Sequence, residues 1–137
     1  MTQKRLFLTG GVGFTGGHLI AAARQQGWEV RDLVGPLEDL AGVSQQVENY
    51  EPDAVIHLAA ISAVTHGDTH AFYAVNVVGT ENVLKALAGC SKKPRKIILA
   101  SSANVYGNSQ AGLLSETASA QPEIGRASCR ERVLMPV

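Results

Sequence analysis

The sequence has little that would suit it to nucleic acid, a membrane or a disulfide-rich scaffold. Its 137 residues carry 12 basic and 12 acidic side chains, so the formal net charge is zero. We therefore expect no basic surface of the kind that binds nucleic acid or anionic lipid. The longest apolar stretch, residues 54–64, contains His57 and Ser62 and is far shorter than the roughly 20 residues of a membrane span. No signal peptide precedes the first apolar segment, which favours the cytoplasm.

The two cysteines and four histidines show no metal-ligand spacing. Cys90 lies on the apolar stripe of a predicted helix, so a small buried side chain is a better interpretation than a reactive thiol. The histidines fall on a strand, on a loop and on two different helices: His57, His66, His18 and His70. Because no acidic residue recurs near them at ligand spacing, we expect no metal site.

Apolar segments and helical patterns alternate along the chain. Strands are predicted over residues 4–9, 28–34, 54–59 and 96–101, and helices over residues 16–26, 37–50 and 70–90. The strands are almost continuously apolar, which is typical of parallel sheets covered by helices on both faces. The alternation predicts an α/β fold, a doubly wound parallel sheet of the Rossmann type. Between the second and third strands there is room for one helix only, so either a strand is missing there or segment 37–50 is compressed.

A glycine-rich turn follows the first strand and opens the first helix. The glycines can be grouped as Gly10, Gly13 and Gly16, or with Gly11 in place of Gly10. In this setting glycines permit a tight turn, a close approach of backbone to a diphosphate, and tight packing of helix on sheet. The helix N-terminus then offers free N–H groups to the phosphates. The turn, including Phe14 and Thr15, is therefore predicted to bind a dinucleotide.

The choice between NAD and NADP stays open at this point. Asp32 ends the second predicted strand, where an acidic residue would bind the adenosine ribose hydroxyls. Arg31 beside it could instead favour a 2′-phosphate. Both residues could also be no more than a solvated strand end.

Four motifs in order resemble those of extended short-chain dehydrogenases/reductases, the NAD-dependent epimerase/dehydratase family. They are Thr9–Gly16, the HLAA sequence of residues 57–60, the NVVGT sequence of residues 76–80 and the SSANVYG sequence of residues 101–107. The resemblance covers about residues 4–123. Within the family, the chain most resembles GDP-mannose 4,6-dehydratases and GDP-4-keto-6-deoxymannose reductases.

The resemblance assigns roles to individual residues. Leu58, Ala59 and Ala60 would line the cofactor beyond the third strand. Asn76 would tie its helix to the neighbouring strand, and Ser102 would be the catalytic hydroxyl, with Ser101 the less favoured choice. Ser62 and His66 lie in the loop beyond the same strand end, where ligands of doubly wound sheets bind, so we expect them to contact substrate.

The resemblance also implies a catalytic Tyr with a Lys four residues after it, and this chain lacks that pair. No Tyr follows Tyr106 and no Lys follows Lys96. Residues 124–137 also differ in composition, with three basic residues in the seven positions 126–132, and they resemble a translated sequencing adapter. We therefore predict an NAD(P)-binding Rossmann-type domain over residues 1–123 and a non-native or irregular tail over residues 124–137. A natural, divergent C-terminus is the alternative.

Two functions are compatible with these observations. The first is the N-terminal fragment of an NAD(P)-dependent reductase, dehydratase or epimerase that acts on a nucleotide-activated hexose and forms a homodimer when complete. The fragment lacks its substrate-binding C-terminal region and is expected to be marginally stable and inactive. The second is a non-catalytic NAD(P)-binding regulatory module, which would have no need of the Ser102 hydroxyl.

Overall fold

A computed structural model gives the architecture of residues 3–61, 69–107 and 112–121. In this part of the chain, four short strands alternate with helices. The strands are β1 (Arg5–Thr9), β2 (Glu29–Asp32), β3 (Ala54–His57) and β4 (Lys96–Leu99). The helices are α1 (Phe14–Gln25), α2 (Leu40–Tyr50), α3 (Thr69–Tyr73) and α4 (Gly79–Gly89).

The strands form one parallel sheet in the order β2-β1-β3-β4. In register, Leu8 of β1 lies between Asp32 of β2 and Ile56 of β3. The chain passes from β1 to β2 on one side and then returns across β1 to β3 on the other. This reversal places a topological switch point between β1 and β3, at whose carboxyl ends ligands of open α/β sheets bind. The predicted Rossmann-type parallel sheet is confirmed.

The main core lies between the sheet and the pair of helices α2 and α4. Its members are buried apolar side chains from all of these elements: Phe7, Leu37, Val43, Val47, Tyr50, Val55, Val83, Ala86, Leu87 and Cys90. Helix α1 covers part of the opposite face. The side chain of Cys90 is buried, as the helical pattern predicted, and its thiol is free.

Several boundaries differ from the predicted ones. Strands β3 and β4 each end two residues early, because the chain turns out of the sheet to form the loops at its carboxyl edge. Helix α1 begins at Phe14 rather than Gly16, directly after its N-cap Gly13. Helix α2 alone connects β2 to β3, and residues 33–53 contain no further strand. Strand β2 therefore lies at the edge of the sheet.

The long helix predicted over residues 70–90 contains a π-helical turn. This turn, Ala74–Val78, lies between α3 and α4. The hydroxyl of Thr80 donates to the carbonyl oxygen of Asn76 at 2.8 Å, one turn back along the helix. An apolar stripe cannot reveal this change of pitch, and π-helical turns are frequent at functional sites.

Both faces of the sheet are only partly covered at β4. Ile97 and Ile98 are 41% and 45% exposed. An apolar groove runs between α1 and the sheet, lined by residues that include Leu6, Leu19 and Ile98. Apolar surface is therefore accessible at this place in the described part of the chain.

Candidate cofactor site

The glycine turn brings the end of β1 into contact with the loop after β3. Gly10 has φ +85°, in the left-handed region that favours glycine. A Cβ atom at this position would lie 2.7 Å from the backbone nitrogen of Ala59. The two loops can therefore meet only because residue 10 has no side chain.

Gly16 allows α1 to lie directly against the turn. A Cβ atom on Gly16 would overlap the carbonyl oxygen of Gly10 and lie 2.6 Å from the Cα atom of Gly11. The backbone amide of Gly13 donates to the same Gly10 carbonyl oxygen at 3.2 Å, which closes the turn. These contacts bring the N-terminus of α1 close to the end of β1.

The first turn of α1 has the features of a phosphate site. Its N-cap is Gly13, which has no side chain to bond the amides of Phe14, Thr15 and Gly16, and the turn contains no acidic residue. Free N–H groups and the positive end of the helix dipole together favour an anion. The Phe14 ring is turned toward His18, with 4.7 Å between ring centroids, and is 86% exposed.

A cavity of about 410 Å³ opens beside these amides, at the carboxyl edge of the sheet. Its lining comes from the loops after β1, β3 and β4 and from the start of α1: Gly10, Gly13, Phe14, Thr15, Leu58, Ala60, Ala100 and Ser101. These lining residues carry no charge. A ligand phosphate here would meet backbone amides and small side chains.

Asp32 lies over the other side of the glycine turn. Its carboxylate accepts a hydrogen bond from the backbone amide of Gly11 at 3.0 Å. A Cβ atom on Gly11 would lie 2.5 Å from the second carboxylate oxygen, so the carboxylate can take this position only because residue 11, the alternative member of the predicted glycine motif, has no side chain. Arg31 points away, with its guanidinium 4.5 Å from the ring centroid of Tyr50.

The loop after β4 holds both candidate serines. Ser101 is exposed and lines the cavity, whereas Ser102 is half-buried beside it and is not among the lining residues. The carbonyl oxygen of Ser102 accepts from the amide of Val105 and so begins a 3-10 helix, Ala103–Tyr106. Because β4 ends at Leu99, the serines lie in the loop and not on the strand.

A chain of buried polar groups lies beneath the cavity. The hydroxyl oxygen of Thr9 is 2.5 Å from Nδ1 of His57, and Nε2 of His57 is 3.0 Å from the hydroxyl oxygen of Thr80. The side chain of Asn76 binds both the amide and the carbonyl of Ile61 at 2.9 Å. Asn76 thus reaches the loop after β3 rather than a strand. Of these residues, only Asn76 was given a structural role from the sequence, since the others are far apart along the chain.

The remaining predicted residues fall outside this description. Ser62 and His66 lie outside the described residues, as do Cys129 and the segment 124–137.

In the described ranges, no group of three or more His, Cys, Asp or Glu side chains could hold a metal ion. Every helix in those ranges is too short or too polar to traverse a membrane.

A larger cavity of about 610 Å³ lies at the opposite, amino edge of the sheet. Asp53 on its rim accepts hydrogen bonds from Lys92 at 2.9 Å and from the backbone amide of Arg5 at 2.8 Å. These bonds, that of Lys92 first, lower the pKa of Asp53. This cavity is far from the glycine turn and from the switch point of the sheet, so its size does not make it the cofactor site.

Comparison with known proteins decides the family. The profile of the family described as GDP-mannose 4,6 dehydratase matches residues 33–125, which is more than half of the chain. The chain belongs to this family. The matched segment contains the loops after β3 and β4, while the glycine turn precedes it.

Similar proteins cover more of the chain than the family profile does. The chain is 32% identical to a GDP-6-deoxy-D-talose 4-dehydrogenase from Aggregatibacter actinomycetemcomitans, over 86% of this chain and 42% of that protein. A short-chain dehydrogenase/reductase superfamily protein from Agrobacterium tumefaciens with bound NAD has a TM-score of 0.79 and 28% identity, covering 95% of this chain and 44% of that one. A UDP-glucose 4-epimerase from Thermus thermophilus in complex with NAD has a TM-score of 0.82 and 25% identity, covering 94% and 48%. The chain spans less than half the length of these proteins.

Proposed function

We propose that the cavity at the carboxyl edge of the sheet binds NAD. The carrying observation is the uncapped first turn of α1 beside an uncharged cavity, in a place that Gly10 and Gly16 keep free of side chains. The amides of Phe14, Thr15 and Gly16 would hold the diphosphate. Leu58, Ala59 and Ala60 would line the cofactor beyond it, since Leu58 and Ala60 line the cavity and Ala59 packs against Gly10.

The position of Asp32 favours NAD over NADP. Its carboxylate is next to Gly11, where the adenosine ribose hydroxyls would lie if the diphosphate binds at α1. A carboxylate accepts hydrogen bonds from hydroxyls and repels a 2′-phosphate. Arg31, which could have compensated, stacks on Tyr50 instead.

We propose further that the chain is the N-terminal part of an enzyme that acts on a nucleotide-activated hexose. Two of the similar proteins are by name a GDP-deoxyhexose dehydrogenase and a UDP-glucose epimerase. NAD would supply hydride transfer to or from the sugar. Ser102 would hydrogen-bond the sugar oxygen, and Ser62 and His66 would contact the substrate. The Tyr and Lys that complete the family's proton transfer are absent, so we expect residues 1–137 to have no hydride-transfer activity.

Calorimetric titration of the 137-residue chain with NAD and with NADP, separately, tests the cofactor proposal. We expect one NAD per chain and weaker binding of NADP. ADP should compete, because it carries the diphosphate and the adenosine ribose. Absence of NAD binding by a folded chain, shown by its circular dichroism and cooperative unfolding, would contradict the proposal.

The domain proposal has a separate test. We propose that residues 124–137 contribute nothing to the cofactor site, since the cavity and the glycine turn are built from residues 10–101. A chain ending at residue 123 should bind NAD as tightly as the 137-residue chain. A markedly lower affinity of the shorter chain would show that the tail belongs to the domain.

A further inference from the structure

The loop that lines the cofactor cavity after β3 is fixed at two points. Near its start, the amide of Ala59 donates to the hydroxyl oxygen of Thr9 at 3.3 Å and to the Thr9 carbonyl oxygen at 3.0 Å. Further along, the side chain of Asn76 binds the amide and the carbonyl of Ile61. Ala60, which lines the cavity, lies between these two points.

The two fixed points are joined through His57. Thr9, His57, Asn76 and Thr80 are all completely buried. The imidazole of His57 lies between the hydroxyls of Thr9 and Thr80, at 2.5 Å and 3.0 Å. Thr80 in turn contacts the backbone carbonyl of Asn76 at 2.8 Å. A continuous line of hydrogen bonds thus runs from the start of the loop to Asn76, the residue that binds Ile61.

The direction of each bond in this line can be assigned. The Asn76 carbonyl oxygen can only accept, so the Thr80 hydroxyl donates to it. Thr80 has one hydrogen, and therefore its oxygen must accept from Nε2–H of His57. At the other end the Ala59 amide can only donate, so the Thr9 oxygen accepts from it. If the imidazole is neutral, Nδ1 carries no proton and accepts from the hydroxyl hydrogen of Thr9.

We propose that Thr9, His57, Thr80 and Asn76 form one positioning device for residues 58–61, and that it holds His57 neutral with its proton on Nε2. In an imidazolium, Nδ1–H would also point at the Thr9 oxygen. The buried Thr9 hydroxyl would then need another acceptor, and the described part of the chain shows none for it. A buried polar group without a hydrogen-bond partner costs free energy of folding. Each group in this line of hydrogen bonds therefore has a partner only when His57 is the neutral tautomer with its proton on Nε2.

This device explains why a histidine lies on an otherwise apolar strand. A neutral imidazole is a donor on one nitrogen and an acceptor on the other, and it spans the space between β1 and α4. The π-helical turn beside Thr80 contains Asn76, whose side chain reaches the loop. The four residues act through the loop and do not themselves line the cavity, so they are positioning residues.

The tautomer can be measured in the unaltered 137-residue chain by nitrogen-15 NMR of the histidine side chains. We expect Nε2 of His57 to have the pyrrole-type shift and Nδ1 the pyridine-type shift, moved by a hydrogen bond. An Nδ1–H tautomer or an imidazolium at neutral pH would overturn the proposal. This measurement needs neither a variant nor bound NAD.

Variants test the coupling to the loop. Thr80→Val removes the acceptor for Nε2–H, and we expect faster hydrogen exchange at the amides of Ala59 and Ile61 and about tenfold weaker NAD binding. Thr80→Ser keeps the hydroxyl and should restore both. Val83→Ala serves as a control, because it weakens the core from the same helix without touching the line of hydrogen bonds.

The outcomes separate this inference from the cofactor proposal. Of the measurements described here, only that of NAD binding depends on the cofactor proposal. Unchanged exchange at Ala59 and Ile61 in Thr80→Val would overturn the positioning role. A Val83→Ala variant that loses NAD affinity to the same extent would also overturn it, because general destabilisation would then suffice. If the unaltered chain fails to bind NAD, the cofactor proposal fails, while the tautomer and exchange results still decide this one.

Discussion

Replacing Gly16 with alanine changes the glycine turn by a single methyl group. The new Cβ atom would lie 2.6 Å from the Cα atom of Gly11 and overlap the Gly10 carbonyl oxygen, whereas ordinary contacts begin at 3.4 Å. Both neighbours are backbone, so the turn or the helix must shift by about 1 Å, and overpacking of this kind costs about 1–3 kcal/mol. The shift would move Gly10 and the amides at the start of α1 away from the diphosphate position.

Gly17→Ala is the matched control, one residue along the same helix. Nothing lies within 4 Å of a Cβ atom at that position. Alanine there should stabilise the fold by up to about 1 kcal/mol through helix propensity, less so near the helix end. The pair thus differs in what the methyl group meets, while the chemical change is the same.

Urea unfolding followed by circular dichroism and calorimetric titration with NAD provide the two readouts. We expect Gly16→Ala to lower the free energy of unfolding and to weaken NAD binding by at least about tenfold. Gly17→Ala should keep NAD affinity within about twofold. If Gly16→Ala binds NAD as tightly as the unaltered chain, the close packing of α1 on the glycine turn is not what forms the site, and the reasoning fails.

Three further predictions concern single side chains. Asp32→Ala should weaken NAD binding by roughly tenfold and reduce discrimination against NADP, because charged hydrogen bonds contribute about 1.5–3 kcal/mol. Arg31→Ala is the control. Unchanged selectivity between NAD and NADP in Asp32→Ala would contradict the proposed contact of Asp32 with the ribose. Burial raises the pKa of Tyr50 to about 12, so stability should be complete below the phenol's ordinary pKa and fall as pH rises toward 12. In Tyr50→Phe this loss of stability at alkaline pH should be smaller. At neutral pH the variant should be about 1 kcal/mol less stable, because it lacks the hydrogen bond to the Glu29 carbonyl oxygen. If urea unfolding gives both chains the same dependence of stability on alkaline pH, this prediction is refuted. The Asp53 carboxylate has a lowered pKa, mainly through its hydrogen bond with Lys92, so its contribution to stability is present above the ordinary pKa of 3.8 and lost as pH falls below it. Asp53→Asn should therefore be less stable than the unaltered chain at neutral pH and equally stable in acid. A difference in stability that persists in acid would contradict this role of Asp53.

The sequence predicted those parts of the site that depend on local pattern. Gly10, Gly13 and Gly16 lie within seven residues, and their spacing between a strand and a helix was enough to predict the turn. Asp32 was predicted by its distance along the chain and by the end of β2. Each of these positions follows from one strand-to-helix unit, so no knowledge of tertiary packing was required.

Other parts of the site depend on contacts between distant segments. His57 was considered only as a metal ligand, because its partners Thr9 and Thr80 are 48 and 23 residues away in sequence. The prediction placed strand ends two residues too late in β3 and β4, because apolar loop residues continue the apolar pattern of a strand. Ser101 therefore lines the cavity, although Ser102 was favoured as the catalytic hydroxyl. Which of the two serines faces a substrate depends on how the chain turns after Leu99 rather than on the strand.

Charge and cavity size both favour the end of this sheet opposite the proposed cofactor site. The amino edge has the larger cavity, with lining residues that include Lys4, Arg95 and Lys96. The carboxyl edge has a smaller cavity without a charged lining residue. A parallel sheet of this topology nevertheless places helix N-termini and strand-end loops at the carboxyl edge, where backbone amides can supply the attraction that side-chain cations supply elsewhere. Because such amides are fixed by packing and not by flexible side chains, the site depends on Gly10, Gly16 and the buried hydrogen bonds of His57 more than on any surface charge.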